Sequence, residues 1–239
     1  MKPRTQLPRV LESGFLLFSV LVMLCPVRAS DSQNSAPGVV CPASDVRVIA
    51  ADARDFHDAC SGAKAAMAFF AAQGLQPTES LLLEITPEMP TECGPTAVGC
   101  YLEQRKRVSM LSYTEFLTRK TWFNLPVDRD LYRSLAVHET AHAVAASHFA
   151  IPRPTIQATE YVAYVPMFAT MDASLRARVL HALPGNGFAS EDRITGIFYL
   201  FEPMRFGAES YRHYMKPENG PRFLQSVLAG RVLTEQAPH

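Results

Sequence analysis

The sequence predicts an α+β protein: a small mixed β-sheet with one packed helix comes first, and helices follow. Two observations support this division. Before Asn124, short apolar runs bounded by turn residues, typical of strands, surround one long helical pattern. After Pro126, apolar residues recur at helical spacing. We therefore expect one domain over residues 30–239, with an α/β lobe at about 40–124 and a helical lobe at about 126–239.

One helix and four strands are expected in the first lobe. The helix covers residues 51–73, where apolar side chains recur every three or four positions, and Gly74 ends it. The strands are the short apolar segments 46–50, 81–85, 98–102 and 108–113. A loop rich in Pro and Thr follows the second strand, and a polar turn separates the last two.

The second lobe begins with a long helix. Asp128 or Asp130 can cap it, and it is expected to run to Phe149, because Pro152 and Pro154 cannot continue it. Leu131, Leu135, His138 and His142 lie along the side of this helix that would face the core.

Further helices complete the second lobe. One begins near Thr155, and Pro166 inside it is expected to kink or shorten it. Three more are expected over residues 173–183, 191–201 and 221–229, two of them followed by Pro-Gly or Gly.

The N-terminus has the pattern of a secretory signal peptide. Lys2, Arg4 and Arg9 precede an apolar run over residues 14–24, and small residues near Ala29 suit cleavage after that position. A membrane anchor is the competing interpretation, but a run of about eleven residues does not span roughly 30 Å of hydrocarbon. A mature protein of residues 30–239, secreted or periplasmic and without a membrane span, is the prediction.

The cysteines agree with export. Of the five cysteines, four lie beyond the signal peptide: Cys41, Cys60, Cys93 and Cys100. An even number in an exported protein favours two disulfides. We expect the pairs Cys41–Cys60 and Cys93–Cys100, since neighbours in sequence close at the least entropic cost. Metal binding by these thiols is the alternative, but no C-x-x-C spacing supports it.

The charge distribution argues against nucleic acid as a partner. The whole chain has 23 basic and 23 acidic residues, and loss of the basic leader leaves the mature protein slightly acidic. No basic stripe with interleaved aromatic residues is present in it.

The segment His138-Glu139-Thr140-Ala141-His142 is the strongest functional signal in the chain. On a helix, His138 and His142 lie one turn apart on the same side, so both imidazoles can bind one zinc ion. Glu139 then lies beside the metal, in position to accept a proton from water. We therefore predict a zinc site on the long helix.

A catalytic zinc ion needs a third protein ligand, and two residues compete for this role. His148 has the spacing of the metzincins, whose extended motif places a Gly where this chain has Ala145. Alanine favours an unbroken helix, on which His148 would face away from His142. Glu160, on the next predicted helix, is the preferred ligand.

With Glu160 as the third ligand, the segment 128–170 resembles the gluzincins, the thermolysin- and aminopeptidase-like zinc peptidases. Glu160-Tyr161-Val162-Ala163 matches their E-x-x-A pattern, in which a small residue lets two helices approach. The chain departs from the family at Tyr164, where many gluzincins have an acidic residue that orients a histidine. The resemblance implies a zincin-like fold with an active-site helix.

The resemblance also implies an activity, the hydrolysis of peptide bonds in a peptide or protein substrate. Zinc held by His138, His142 and Glu160 would lower the pKa of water toward roughly 7, and Glu139 would act as the general base. Tyr211 and His213 are the candidates for stabilising the negative charge on the carbonyl oxygen, because related enzymes use a His or Tyr late in the chain.

Substrate binding is expected on the strand over residues 108–113, because zincins bind an extended peptide along an edge strand. Two other functions remain open. One is a zincin-like domain that binds metal without cleaving peptides. The other is a deformylase-type amide hydrolase, in which Cys93 or Cys100 would be the third ligand.

Overall fold

The computed structural model describes residues 38–42, 44–76 and 79–234. The predicted signal peptide lies outside these residues. The described residues belong to one compact unit, which is mixed α+β as predicted. Within them, none of the helices is both long enough and apolar enough to cross a bilayer.

A five-stranded mixed sheet forms one layer of the fold. Its strand order is β1-β2-β3-β5-β4; β2, β3 and β5 are parallel, while β1 and β4 run antiparallel at the two edges. The strands are β1 (Val39–Val40), β2 (Arg47–Ile49), β3 (Leu82–Thr86), β4 (Gly99–Leu102) and β5 (Arg107–Leu111). The four predicted strands are confirmed, and β1 was not predicted.

The strand order corrects the prediction for the substrate strand. β5, the strand predicted over residues 108–113, lies between β3 and β4 and is hydrogen-bonded on both sides. It therefore has no free edge that could pair with a peptide. The strand also ends at Leu111, because Ser112 caps a short helix that begins at Tyr113.

Helices pack on one face of the sheet and continue beyond it. They are α1 (Ala53–Ala71), α2 (Tyr113–Leu117), α3 (Arg129–Ala146), α4 (Ile156–Thr170), α5 (Ala173–Ala182), α6 (Gly196–Phe201), α7 (Pro203–Tyr214) and α8 (Gly220–Leu228). A small hairpin of β6 (Thr121–Trp122) and β7 (Leu125–Pro126) lies between α2 and α3.

One prediction for these helices needs correction, and two helices were not predicted. The segment 191–201 is not one helix: a 3₁₀ turn over Glu191–Arg193 is separated from α6, because Thr195 starts a new helix as its N-cap. Pro166 does not shorten α4, which continues to Thr170. Helices α2 and α7 were not predicted as elements.

Helices α1 and α3 pack closely because a glycine lies between them. A side chain on Gly62 of α1 would place its Cβ 2.6 Å from the Cβ of Ala136 and 2.7 Å from the carbonyl oxygen of Arg133. Such distances are far below van der Waals contact, so only glycine allows this approach. The contact fixes α3, the helix that contains His138 and His142, against the rest of the core.

A buried ion cluster joins the N-terminal ends of α1 and α3. Nη1 of Arg129 lies 2.6 Å from Oδ1 of Asp55 and 3.0 Å from Oδ2 of Asp58, and both carboxylates are buried. The backbone N–H of Tyr113 donates to Asp55 at 3.0 Å, and the guanidinium lies 3.8 Å from the centre of the Tyr113 ring. Arg129 therefore neutralises two carboxylates that burial would otherwise destabilise.

Replacing Arg129 with methionine is expected to lower the free energy of unfolding by about 3 kcal/mol, because it leaves two buried carboxylates unpaired. Urea denaturation of the purified protein measures the change. Arg133→Met is the matched control: Arg133 lies on the same helix, is partly exposed and approaches Asp58 only to 3.7 Å. The control should cost at most about 1 kcal/mol. Equal losses for both variants would contradict this role of Arg129.

Both predicted disulfides are confirmed. Cys41 is bonded to Cys60, and Cys93 is bonded to Cys100. The first joins the segment before β2 to α1, and the second joins the loop after β3 to the edge strand β4. Two disulfides are consistent with a protein that is outside the reducing cytosol.

Candidate metal centre

Helix α3 presents both histidines of the sequence motif on one side. Asp128 caps the helix by accepting a hydrogen bond from the backbone N–H of Leu131. His138 and His142 lie one turn apart, and their Nε2 atoms are 3.1 Å apart. His138 is almost fully buried and His142 is partly exposed, so the pair lies at the boundary between the core and solvent.

Glu160 on α4 completes a group of three. Its Oε2 lies 3.5 Å from Nε2 of His138, and its Oε1 lies 3.6 Å from Nε2 of His142. Each of these residues offers one ligand atom, and the three atoms lie within 4.8 Å of one another. His138, His142 and Glu160 could therefore hold a metal ion.

The dimensions of this group fit a small tetrahedral metal site. With metal–ligand distances of about 2.0–2.1 Å, ligand atoms at the corners of a tetrahedron lie about 3.3 Å apart. The two Nε2 atoms are 3.1 Å apart, and each lies 3.5 or 3.6 Å from a different oxygen of Glu160, so each of these pairs is close to that value. Oε2 of Glu160 is also buried without a hydrogen-bond partner in the described part of the chain, and a cation would satisfy it.

The three candidate ligands have shifted pKa values. Burial lowers the pKa of His142 to about 4, although the negative charge of Glu160 acts to raise it. Burial alone would also lower the pKa of His138, but its close approach to the carboxylate of Glu160 outweighs this and raises it. For Glu160, burial acts to raise the pKa, and the imidazoles of His142 and His138 outweigh it and lower it. Glu160 therefore remains an anion that is available to a cation.

Glu139 lies next to the ligand group and is also buried. Burial raises the pKa of its carboxyl to about 7, although the nearby His138 opposes the shift. A carboxylate with a pKa near neutrality can both accept and release a proton at neutral pH. A Cβ on Gly99 would lie 2.6 Å from Oε1 of Glu139, so the edge strand β4 passes directly over this carboxylate.

A cleft of about 850 Å³ opens over the ligand group and Glu139. Its walls come from the edge strand β4, from α3 and α4, from Trp122 of the hairpin and from Tyr199 of α6. A second cavity, of about 360 Å³, is lined by Met67, Leu81 and Val144 among others and contains none of the candidate ligands. The large cleft is thus the candidate ligand-binding site of the described residues.

Tyr199 is a site residue that the sequence analysis missed. It lines the same cleft as Glu160. Burial, together with the charge of Glu160, raises the pKa of the Tyr199 hydroxyl, so the hydroxyl stays protonated and can donate. No local pattern points to this residue, because its position depends on how the six-residue α6 packs against α4 and α7.

The other predicted site residues are not brought to the ligand group. The ring of Tyr211 stacks on Phe168, with 5.5 Å between centroids. Nδ1 of His213 is 2.9 Å from the hydroxyl of Tyr161. Neither residue is part of the cleft wall. His148 follows the end of α3, and its Nε2 lies 2.8 Å from the carbonyl oxygen of Gln76.

The cysteines are also unavailable as ligands. Cys93 and Cys100 both line the cleft, but they are bonded to each other. A disulfide sulfur is not a thiolate, and zinc is bound by the thiolate. The alternative with Cys93 or Cys100 as the third ligand therefore has no support in this structure.

Fold and site together define an α+β protein with a candidate metal centre between two neighbouring helices. The chain belongs to a family of unknown function, DUF6639, whose model matches residues 46–237. No curated protein and no solved structure matches the chain. The residues that the family model matches include the three candidate ligands, Glu139 and the edge strand β4.

Proposed function

We propose that the protein is an exported zinc-dependent peptidase that hydrolyses peptide bonds. The observation that carries the proposal is the ligand group of His138, His142 and Glu160, whose three ligand atoms lie within 4.8 Å of one another. Two histidines and one glutamate are a ligand set of catalytic zinc sites, and they leave one coordination position open. The adjacent carboxylate of Glu139 distinguishes this site from a purely structural one.

Zinc, when bound, supplies a Lewis acid that polarises a carbonyl group and makes water a better nucleophile at neutral pH. Glu139 has the position and the pKa of the general base. It accepts a proton from the attacking water and then gives it to the amine that leaves. Burial of Glu139 supports both steps, because it keeps the pKa of the carboxyl near neutrality.

Tyr199 replaces Tyr211 and His213 as the candidate donor to the carbonyl oxygen. Tyr199 lines the same cleft as the three candidate ligands, and the charge of Glu160 contributes to the raised pKa of its hydroxyl. A protonated hydroxyl in this position can donate a hydrogen bond to an oxygen that becomes negative during the reaction. Tyr211 and His213 remain part of the core around α7.

The edge strand β4 replaces β5 as the candidate strand for substrate binding. β4 pairs with β5 on one side, and no strand among the described residues pairs with its other side. Gly99, Cys100 and Tyr101 of β4 line the cleft. An extended peptide that pairs with this edge would pass over Glu139, and Gly99 leaves the space that the carboxylate needs.

Export is supported by the two disulfides, which are stable outside the reducing cytosol. It is also supported by the sequence pattern of a signal peptide at residues 1–29. The substrate would then be a peptide or protein in the same oxidising compartment.

The test is metal analysis together with hydrolysis of a peptide library by the mature protein, residues 30–239. We expect about one zinc ion per chain and cleavage that stops with 1,10-phenanthroline and returns when zinc is added. Mass spectrometry of the library measures cleavage directly. Added zinc should also raise the unfolding temperature of the metal-free protein.

Two outcomes would contradict the proposal at different levels. A protein that binds one zinc ion but leaves every library peptide intact would be a metal-binding domain and no peptidase. If the protein takes up no zinc, the group is not a metal site. A protonated His138 paired with Glu160 would then explain why these side chains lie together.

A further inference from the structure

His138 lacks the contact that usually orients a metal-binding imidazole. Its Nε2 faces the ligand group, and its other ring nitrogen, Nδ1, is buried without a hydrogen-bond partner among the described residues. Histidines that bind metals usually donate this second N–H to a carboxylate, a carbonyl oxygen or water. No protein group among the described residues therefore orients the ring through Nδ1, and the contacts of the ring itself become relevant.

The aromatic ring of Tyr164 is packed against the His138 imidazole. The two ring centroids are 4.4 Å apart, at an interplanar angle of 52°. Tyr164 lies on α4, one turn after Glu160, and it is buried. The same helix thus provides one candidate metal ligand and the ring that touches another.

Helix α7 also contacts the ring of Tyr164. A Cβ on Gly207 would lie 2.5 Å from Cδ1 and 2.8 Å from Cε1 of the Tyr164 ring. The ring therefore rests directly on the backbone of α7, and Phe123 contacts it edge-on at 6.1 Å between centroids. The ring of Tyr164 cannot move away from His138 unless α7 or Phe123 also moves.

We propose that Tyr164 is a positioning residue, whose ring, supported by Gly207, holds the imidazole of His138 in the orientation that binds the metal. At other metal sites a hydrogen bond to the second ring nitrogen orients the imidazole. Here the packing of Tyr164 would orient it. This inference rests on the metal-binding part of the proposed function and does not depend on peptide hydrolysis. It assigns the role to the ring of Tyr164 and not to its hydroxyl.

The experiment compares zinc affinity among four variants and the wild type, measured by competition with a chromogenic chelator. Tyr164→Leu removes the ring and is expected to weaken zinc binding about 10- to 100-fold. Tyr164→Phe keeps the ring and should bind zinc as the wild type does. Gly207→Ala places a Cβ 2.5 Å from Cδ1 of Tyr164, forces the ring out of its present position and should also weaken binding, although alanine favours the helix.

Tyr161→Leu is the matched control for loss of a buried ring. Tyr161 lies on the same helix and is fully buried, but its ring contacts His213 and Phe223, away from the ligand group. This variant should lose thermal stability as Tyr164→Leu does and keep the zinc affinity of the wild type. The visible spectrum of the cobalt-loaded proteins provides a second measurement, because it reports the coordination geometry directly. It should change in Tyr164→Leu and Gly207→Ala only.

Several outcomes would overturn the inference. They are wild-type zinc affinity in Tyr164→Leu, an equal loss in Tyr161→Leu, and a loss in Tyr164→Phe as large as in Tyr164→Leu. If the wild type itself binds neither zinc nor cobalt, the proposed metal site fails and this inference fails with it. Zinc binding without peptide cleavage would leave the inference standing while the peptidase proposal fails.

Discussion

Replacing Glu160 with alanine is expected to empty the metal site. The wild type should retain about one zinc ion per chain after dialysis, and the variant should retain almost none. The two imidazoles alone would leave the metal with half of a tetrahedral set. Because loss of a supporting contact already weakens zinc binding by about 10- to 100-fold, loss of a ligand should weaken it by more than about 100-fold.

The measurement is the zinc content of dialysed protein, supported by the shift of the unfolding temperature on addition of zinc. The wild type should be stabilised by zinc, whereas Glu160→Ala should not respond at the same concentration. His148→Ala is the control, because His148 contacts the carbonyl oxygen of Gln76 and not the ligand group. Loss of zinc in His148→Ala with retention in Glu160→Ala would show that the third ligand has been assigned wrongly.

The predictions from the sequence succeeded where the information is local. His138 and His142 are separated by one helical turn, so a helix is sufficient to bring their ring nitrogens together. The start of α3 follows from the cap at Asp128, whereas its end at Ala146 lies three residues before the predicted end at Phe149. The place of Glu160 required a resemblance to a family, because spacing within one helix does not show how α3 and α4 pack.

Strand order and the contacts of α6 could not be read from local patterns. The composition of β5 suits an edge strand and an internal strand equally well. Its pairing with both β3 and β4 shows that it is internal. Tyr199 and Tyr211 lie on consecutive helices, yet only Tyr199 reaches the cleft. That difference comes from the way α6 and α7 pack on α4, which is a property of the whole fold.

Two missed helices did have local signals. Ser112 caps α2 and is followed three positions later by Glu115, which is the pattern of a capping box. α7 begins with Pro203 in its first turn and has Arg212 and His213 in its last turn, as helix ends favour. Of this segment, only Tyr211 and His213 were predicted, as site residues and not as part of a helix.

Replacing Glu139 with glutamine is expected to stop peptide hydrolysis while the metal remains bound. Glutamine has nearly the same shape as glutamate, so it fits below Gly99 in the space that the carboxylate occupies. Its amide cannot accept a proton from water, and the reaction then lacks its general base. The rate of cleavage should fall by about 10²- to 10⁴-fold.

Zinc binding separates this effect from damage to the site. Glu139 is not one of the three candidate ligands, so the variant should hold one zinc ion with an affinity close to that of the wild type. Removal of a buried carboxyl with a raised pKa should also leave the fold at least as stable at neutral pH. The combination of full zinc occupancy, an intact fold and lost cleavage is specific to a general base.

Initial rates of cleavage of the best library peptide, at equal zinc occupancy, measure the effect of Glu139→Gln. Glu218→Gln is the matched control: it makes the same chemical change at an exposed residue after α7 and should cleave the peptide at the wild-type rate. If Glu139→Gln cleaves as fast as this control, Glu139 is not the base. If the variant loses zinc together with activity, Glu139 acts on the metal site and not on the proton transfer.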